Sequence, residues 1–243
     1  MKYVLDKKDA VSIGAKKPRI NQMPLHTIIQ HNASSQILVW KITETYDQLF
    51  SEVVLNMKNR VRLASMKSEM HQRGFLSVRK LLQEAGFNDL DLYYDEDGKP
   101  HLKDVKNISI THSHNFSAII ISDEVVGIDI ELQREKIIRI ADKFVDKEAR
   151  YLNKINATNY IKKLTVIWGA KEAIYKIRNE KGLSFKDHIV VNAFDLGNND
   201  TVAQVNFEGA SQKYNVVYQE IEDFTLVYAF EKKNEIKSKV KRE

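Results

Sequence analysis

Along this chain of 243 residues the apolar positions recur with two periods, and the switches between them mark out the elements. From about Thr45 to Ala85 the spacing is helical, with Leu49, Val53, Val54 and Met57 followed by Phe75, Val78, Leu81 and Leu82, as expected of helices that bury one face. Gly86 suits the stop after the last of them. The same period predicts a helix from Lys136 to Leu152, with Ile137, Ile140, Ala141 and Phe144 on one face, and a longer one from Thr158 to Arg178, closed by Gly182. Strands are predicted at Gln36–Ile42, Leu90–Tyr94, Asn107–Ile110, Phe116–Ile121 and Val126–Glu131. Four more are predicted near His188–Ala193, Thr201–Phe207, Lys213–Glu220 and Phe224–Phe230. Phe116–Ile121 is a run of apolar residues interrupted by Ser117 alone and is expected to be buried on both faces. Asp95-Glu96-Asp97-Gly98-Lys99-Pro100 has the composition of a turn. The first 36 residues carry no clear period.

Each half thus holds a helical block followed by strands, which predicts an α+β protein of two similar lobes. The expected limits are 1–124 for the N-terminal lobe, 125–230 for the C-terminal lobe and 231–243 for a basic tail. That tail carries six basic residues against three acids, and without it the formal charge of +5 falls to +2. A body so nearly neutral does not have the electrostatic footprint expected of a nucleic-acid binder, so a nucleic-acid partner is not expected. The chain has no cysteine, which turns any metal site toward oxygen ligands. Met1 to Lys7 is charged and lacks an apolar core, and no apolar run approaches membrane-spanning length. The cytoplasm is the expected location, with no membrane partner.

Three stretches could carry chemistry. In Val126-Gly127-Ile128-Asp129-Ile130-Glu131 strand parity sends the isoleucines to one face and both carboxylates to the other. The acids could simply form a wet face, or they could face a divalent cation that neutralises them. In Trp168-Gly169-Ala170-Lys171-Glu172-Ala173-Ile174-Tyr175-Lys176, helical spacing aligns Trp168, Glu172 and Lys176 in one stripe. Glu172 and Lys176 could be a surface ion pair, but the flanking helix is too apolar to leave much wet surface. A third carboxylate beside Asp129 and Glu131 would complete an oxygen site suited to magnesium. In Thr111-His112-Ser113-His114 the hydroxyls and imidazole at a strand end suit a phosphate, though loop histidines are often structural.

Taken in order, Gly98-Lys99-Pro100, Ile110-Thr111-His112-Ser113, Gly127-Ile128-Asp129-Ile130-Glu131 and Trp168-x-x-Lys171-Glu172-x-x-x-Lys176 resemble the 4′-phosphopantetheinyl transferases. The resemblance spans about residues 98 to 185 and ends in Lys181-Gly182-Leu183-Ser184-Phe185. The length resembles the larger surfactin-synthetase-activating type, which implies a monomer whose two lobes form a pseudo-dimer. The implied reaction moves the phosphopantetheine arm of coenzyme A to a serine of an apo acyl or peptidyl carrier protein and releases 3′,5′-ADP. Carriers of fatty-acid, polyketide or peptide synthesis all remain open. Asp129, Glu131 and Glu172 would hold magnesium, and Glu172 would be the base for the carrier serine, directly or through a water. Lys176 would contact phosphate and assist the departing 3′,5′-ADP. His112 would bind a phosphate with Thr111 and Ser113 beside it, and Lys99 and Pro100 would line the adenine end. Thr111 stands where the family often has serine. No motif places the basic residues of the N-terminal lobe, for which Lys16, Lys17, Arg19, Arg73 and Arg79 are candidates. Two other readings remain: a basic nucleic-acid-binding module in which the three acids are structural, and a two-lobed transferase of another group.

Overall fold

A computed structural model describes residues 25–103 and 106–233. Lys16, Lys17, Arg19 and the tail beyond Lys233 lie outside the described residues. The fold is α+β with antiparallel sheets. One four-stranded sheet has the order β1 (Leu25–Asn32), β2 (Ser35–Lys41), β6 (Phe116–Ser122), β5 (Asn107–Ser113). A five-stranded sheet has the order β7 (Val126–Leu132), β11 (Phe224–Glu231), β10 (Ala210–Ile221), β9 (Asp200–Phe207), β8 (Ile189–Val191). A short hairpin joins β3 (Leu92–Tyr94) to β4 (Pro100–Leu102).

Strand parity explains the packing. In β6 every residue is buried, as its apolar run predicts. Its odd-numbered Ile119 and Ile121 join Leu38 and Trp40 under the helices α1 (Tyr46–Glu52), α2 (Met57–Ser65) and α3 (Glu69–Glu84). Its even-numbered Phe116, Ala118 and Ile120 meet Ile128, Ile130, Leu226 and Tyr228 of the five-stranded sheet. The opposite face of that sheet, through Val216, Val227 and Ala229, packs on α5 (Ala157–Arg178). No helix among the described residues is long and apolar enough to cross a membrane.

The structure departs from the periodicity in three places. The helical block of 45–85 is three helices, and Val54 and Met57 are exposed beyond the end of α1. β1 went unpredicted because its alternate positions are only half-buried and its outward ones include both apolar and polar residues. The helix expected over 136–152 stops as α4 (Lys136–Ile140) and gives way to short 3-10 turns. Beyond Phe144 a buried ion pair keeps the helix from resuming. Lys171, fully inside the protein, donates to the Phe144 carbonyl at 2.6 Å and to the Phe185 carbonyl at 2.9 Å. Its partner Glu148, at 2.8 Å, accepts from the backbone N–H groups of Asp146 and Val191. A carbonyl claimed by a buried ammonium does not serve the i→i+4 ladder as well, and burying that charge unpaired would cost far more than one turn of helix.

Candidate active site

The site forms where β5, at the edge of one sheet, meets β7, at the edge of the other. β7 pairs with β11 along its whole length, and its odd-numbered positions turn toward α5. Gly127 is opposite Ala173, and an added Cβ there would lie 1.9 Å from the Ala173 carbonyl oxygen. Only glycine lets strand and helix approach so closely. Next along, Gly169 lies against Asp129, with a Cβ built at Gly169 3.6 Å from Asp129 Oδ2. Glu131 then receives the indole N–H of Trp168 at 3.4 Å. The Trp168 ring is wedged between Phe144 and Phe185, with centroids 5.1 and 5.5 Å away. The stripe of Trp168, Glu172 and Lys176 therefore runs along the carboxylates of β7.

Parity in β5 divides its motif. Thr111 and Ser113 face β7, where the Thr111 hydroxyl donates to Asp129 Oδ1 at 3.1 Å and that of Ser113 to Glu131 Oε2 at 3.3 Å. His112 points the other way, beside Gly74 of α3, into a cavity of about 490 Å³. Gly98, Lys99, Pro100 and Lys176 line the same cavity, so three of the four spaced motifs converge there, whereas Thr111 and Ser113 do not line it. Lys176 joins the cavity to the acids: its ammonium donates to the Ile128 carbonyl at 2.7 Å and to Asp129 Oδ1 at 3.0 Å. The Lys99 ammonium donates to the Ile177 carbonyl near the C-terminus of α5 at 2.7 Å, where a cation suits the helix dipole.

Charge follows this geometry. Burial, and then the negative charge of Asp129, push the Glu172 carboxyl up to about 7. Burial and Asp129 also raise Glu131. His112 is lowered by burial first, then by His71 and Lys176, so it is neutral near pH 7 and hydrogen-bonds without carrying charge. Asp129 is itself buried, and its Oδ2 has no hydrogen-bond partner among the described residues. A buried, unpartnered carboxylate oxygen next to two acids held above their ordinary range is a feature that a hard divalent cation relieves. The donor set of Asp129, Glu131 and Glu172, all oxygen, fits magnesium in chemistry. As placed, no three His, Asp or Glu side chains among the described residues close on one point as a ready metal cluster.

Two basic cavity residues were missed by sequence reasoning. Arg62 of α2 and His71 of α3 line it, and neither belongs to a motif; the only signal is that His71 precedes the lining Phe75 by one helical turn. Of the basic candidates, Arg79 lines the cavity but is committed to structure. Its Nε donates to Asp89 at 3.0 Å and its guanidinium stacks 3.5 Å over Phe75, leaving one nitrogen, Nη2, unpartnered among the described residues. Arg73 donates to the Ile42 carbonyl at 3.3 Å.

Residues 125–229 match the model of the 4′-phosphopantetheinyl transferase superfamily. The matched segment holds Asp129, Glu131, Trp168, Glu172 and Lys176, while the motifs at 98–100 and 110–113 precede it. No curated protein matches the chain.

Proposed function

We propose that this protein is a magnesium-dependent 4′-phosphopantetheinyl transferase that moves the arm of coenzyme A to a serine of an apo acyl or peptidyl carrier protein. The observation that carries the reading is Lys176, which lines the cavity with Gly98, Lys99, Pro100 and His112 and at the same time grips Asp129. A phosphate-rich ligand in that cavity would reach the carboxylates at this lysine. In the reaction the carrier serine oxygen attacks the phosphorus bearing the pantetheine arm. The bond from that phosphorus to the bridging oxygen of 3′,5′-ADP breaks, and the serine proton is taken by a base.

Such transfers need positioning and charge neutralisation more than covalent chemistry. Glu172 is the base in this proposal, directly or through a water, and a cation at the site would keep its carboxyl ionised and able to accept the serine proton. Lys176 neutralises the departing 3′,5′-ADP. His112, neutral and at the cavity wall, donates a hydrogen bond to a phosphate, with Lys99 and Pro100 toward the adenine end. Thr111 and Ser113 act from behind, on Asp129 and Glu131. Magnesium held by Asp129, Glu131 and Glu172 would neutralise the pyrophosphate oxygens.

The proposal takes the two helix-covered sheets as two lobes of a pseudo-dimer in one chain, so that a monomer suffices. Incubation with coenzyme A, magnesium and apo carrier proteins, followed by intact mass spectrometry, tests it: a carrier gains the phosphopantetheine mass. If a panel of carriers stays unmodified while the protein binds DNA or RNA in a salt-dependent way, the binding-module reading replaces it.

A further inference from the structure

We propose that Thr111 is a positioning residue for Asp129, deciding which of its two oxygens is offered to a bound cation; the inference rests on the transferase reading above. β7 donates backbone N–H groups from Ile128 and Ile130 toward β5, but it receives no backbone ladder there. Two hydroxyls stand in. Ser109 Oγ accepts from Ile128 N–H at 3.1 Å, and Thr111 Oγ1 accepts from Ile130 N–H at 3.3 Å. The two residues are two apart on β5 and meet N–H groups two apart on β7, so they form matching rungs.

The rungs differ in where the hydroxyl proton goes. Thr111 gives its proton to Asp129 Oδ1. Lys176 donates to the same oxygen and is tethered by its second bond to the Ile128 carbonyl. Oδ1 is therefore filled twice, and Oδ2 is left buried and unpartnered among the described residues, on the side of Gly169. Thr111 is itself buried, at 6% exposure, so water cannot readily replace its hydroxyl, and its β-branch restricts rotation. With Thr111 in place Asp129 meets a ligand through Oδ2 alone. Without it, the carboxylate can rotate and lose that preorganisation.

The test uses the full-length protein with Mn²⁺ as the probe, its free concentration read by electron paramagnetic resonance. Thr111→Val keeps the shape and removes the hydroxyl, and weakens Mn²⁺ binding by about 10-fold or more, as loss of an outer partner of a metal ligand does. Thr111→Ser restores binding. Ser109→Ala removes the sister rung, which touches no carboxylate, and lowers stability while leaving Mn²⁺ affinity at the wild-type value. If Thr111→Val does not fold, Thr111→Cys, of similar size and a weak donor, is read by the same criterion. Wild-type affinity in the hydroxyl-less variant, or equal weakening by Ser109→Ala, overturns the proposal. Wild-type protein that neither binds Mn²⁺ nor modifies any carrier overturns the transferase reading itself, an outcome distinct from transfer that proceeds with Mn²⁺ binding indifferent to Thr111.

Discussion

Replacing Glu172 with Gln is expected to stabilise the metal-free protein at alkaline pH while leaving it nearly unchanged at pH 4. Glu172 is raised from 4.5 to about 7 by burial and by its acidic neighbours. A tenfold rise in proton affinity corresponds to about 1.4 kcal/mol, so the ionised form is disfavoured by about 3 kcal/mol, and solvent reaching the half-buried carboxyl trims this to about 2–3 kcal/mol. The folded state holds its proton more tightly than the unfolded chain. The stabilising effect of protonation is therefore complete below about pH 4.5 and is lost as pH rises through about 7. Glu131, raised for the same reasons, adds to the slope. Glutamine keeps the shape without the charge, so the stability gap between variant and wild type opens between these limits. Urea unfolding in chelator at pH 4 and pH 8, followed by tryptophan fluorescence, measures it. Added magnesium closes the gap at pH 8 by stabilising the wild type more than the variant. A gap that does not change with pH, or a variant less stable than wild type at pH 8, refutes the reasoning, because the carboxyl would then not be a buried charge held against its neighbours.

Other perturbations follow from the same contacts. Gly127→Ala forces a Cβ to within 1.9 Å of a backbone oxygen of α5, and an expected loss of about 3 kcal/mol or more, read by thermal unfolding, comes with collapse of carrier modification. Lys176→Ala removes the donor shared by Ile128 and Asp129 and is expected to depress turnover at least 10-fold while the circular dichroism spectrum stays native; unfolding instead would mark the lysine as structural. Arg79→Ala leaves the buried Asp89 with the Asn56 and Asn59 hydrogen bonds but without its charged partner, and costs about 3 kcal/mol in denaturant titration. The His112 ring titrates below its ordinary range in the free protein, and NMR titration is expected to show it rising when 3′,5′-ADP is added, since a nearby phosphate favours the imidazolium.

Much of this site is legible in the chain because its logic is periodic. Strand parity alone puts Asp129 and Glu131 on one face of β7 with Ile128 and Ile130 on the other, and helical spacing alone aligns Trp168, Glu172 and Lys176; in the structure the isoleucines enter the core between the sheets and the stripe meets the acids. Gly86 and Gly182, both at positive φ, punctuate the helical regions as their lack of a side chain suggests. Periodicity has no access to pairings distant in sequence. That β5 abuts β7 through hydroxyls, that Thr111 therefore faces Asp129 while His112 faces the cavity, and that Arg62 and His71 line that cavity are decided only when the sheets pack. The failure of the helix expected at 136–152 to resume past Phe144 has the same origin, because a lysine from α5 takes that carbonyl. Local spacing determined which chemical groups share a face. Tertiary packing decided which atoms meet, since a buried charge or hydroxyl takes the nearest partner in space, however far away it lies along the chain.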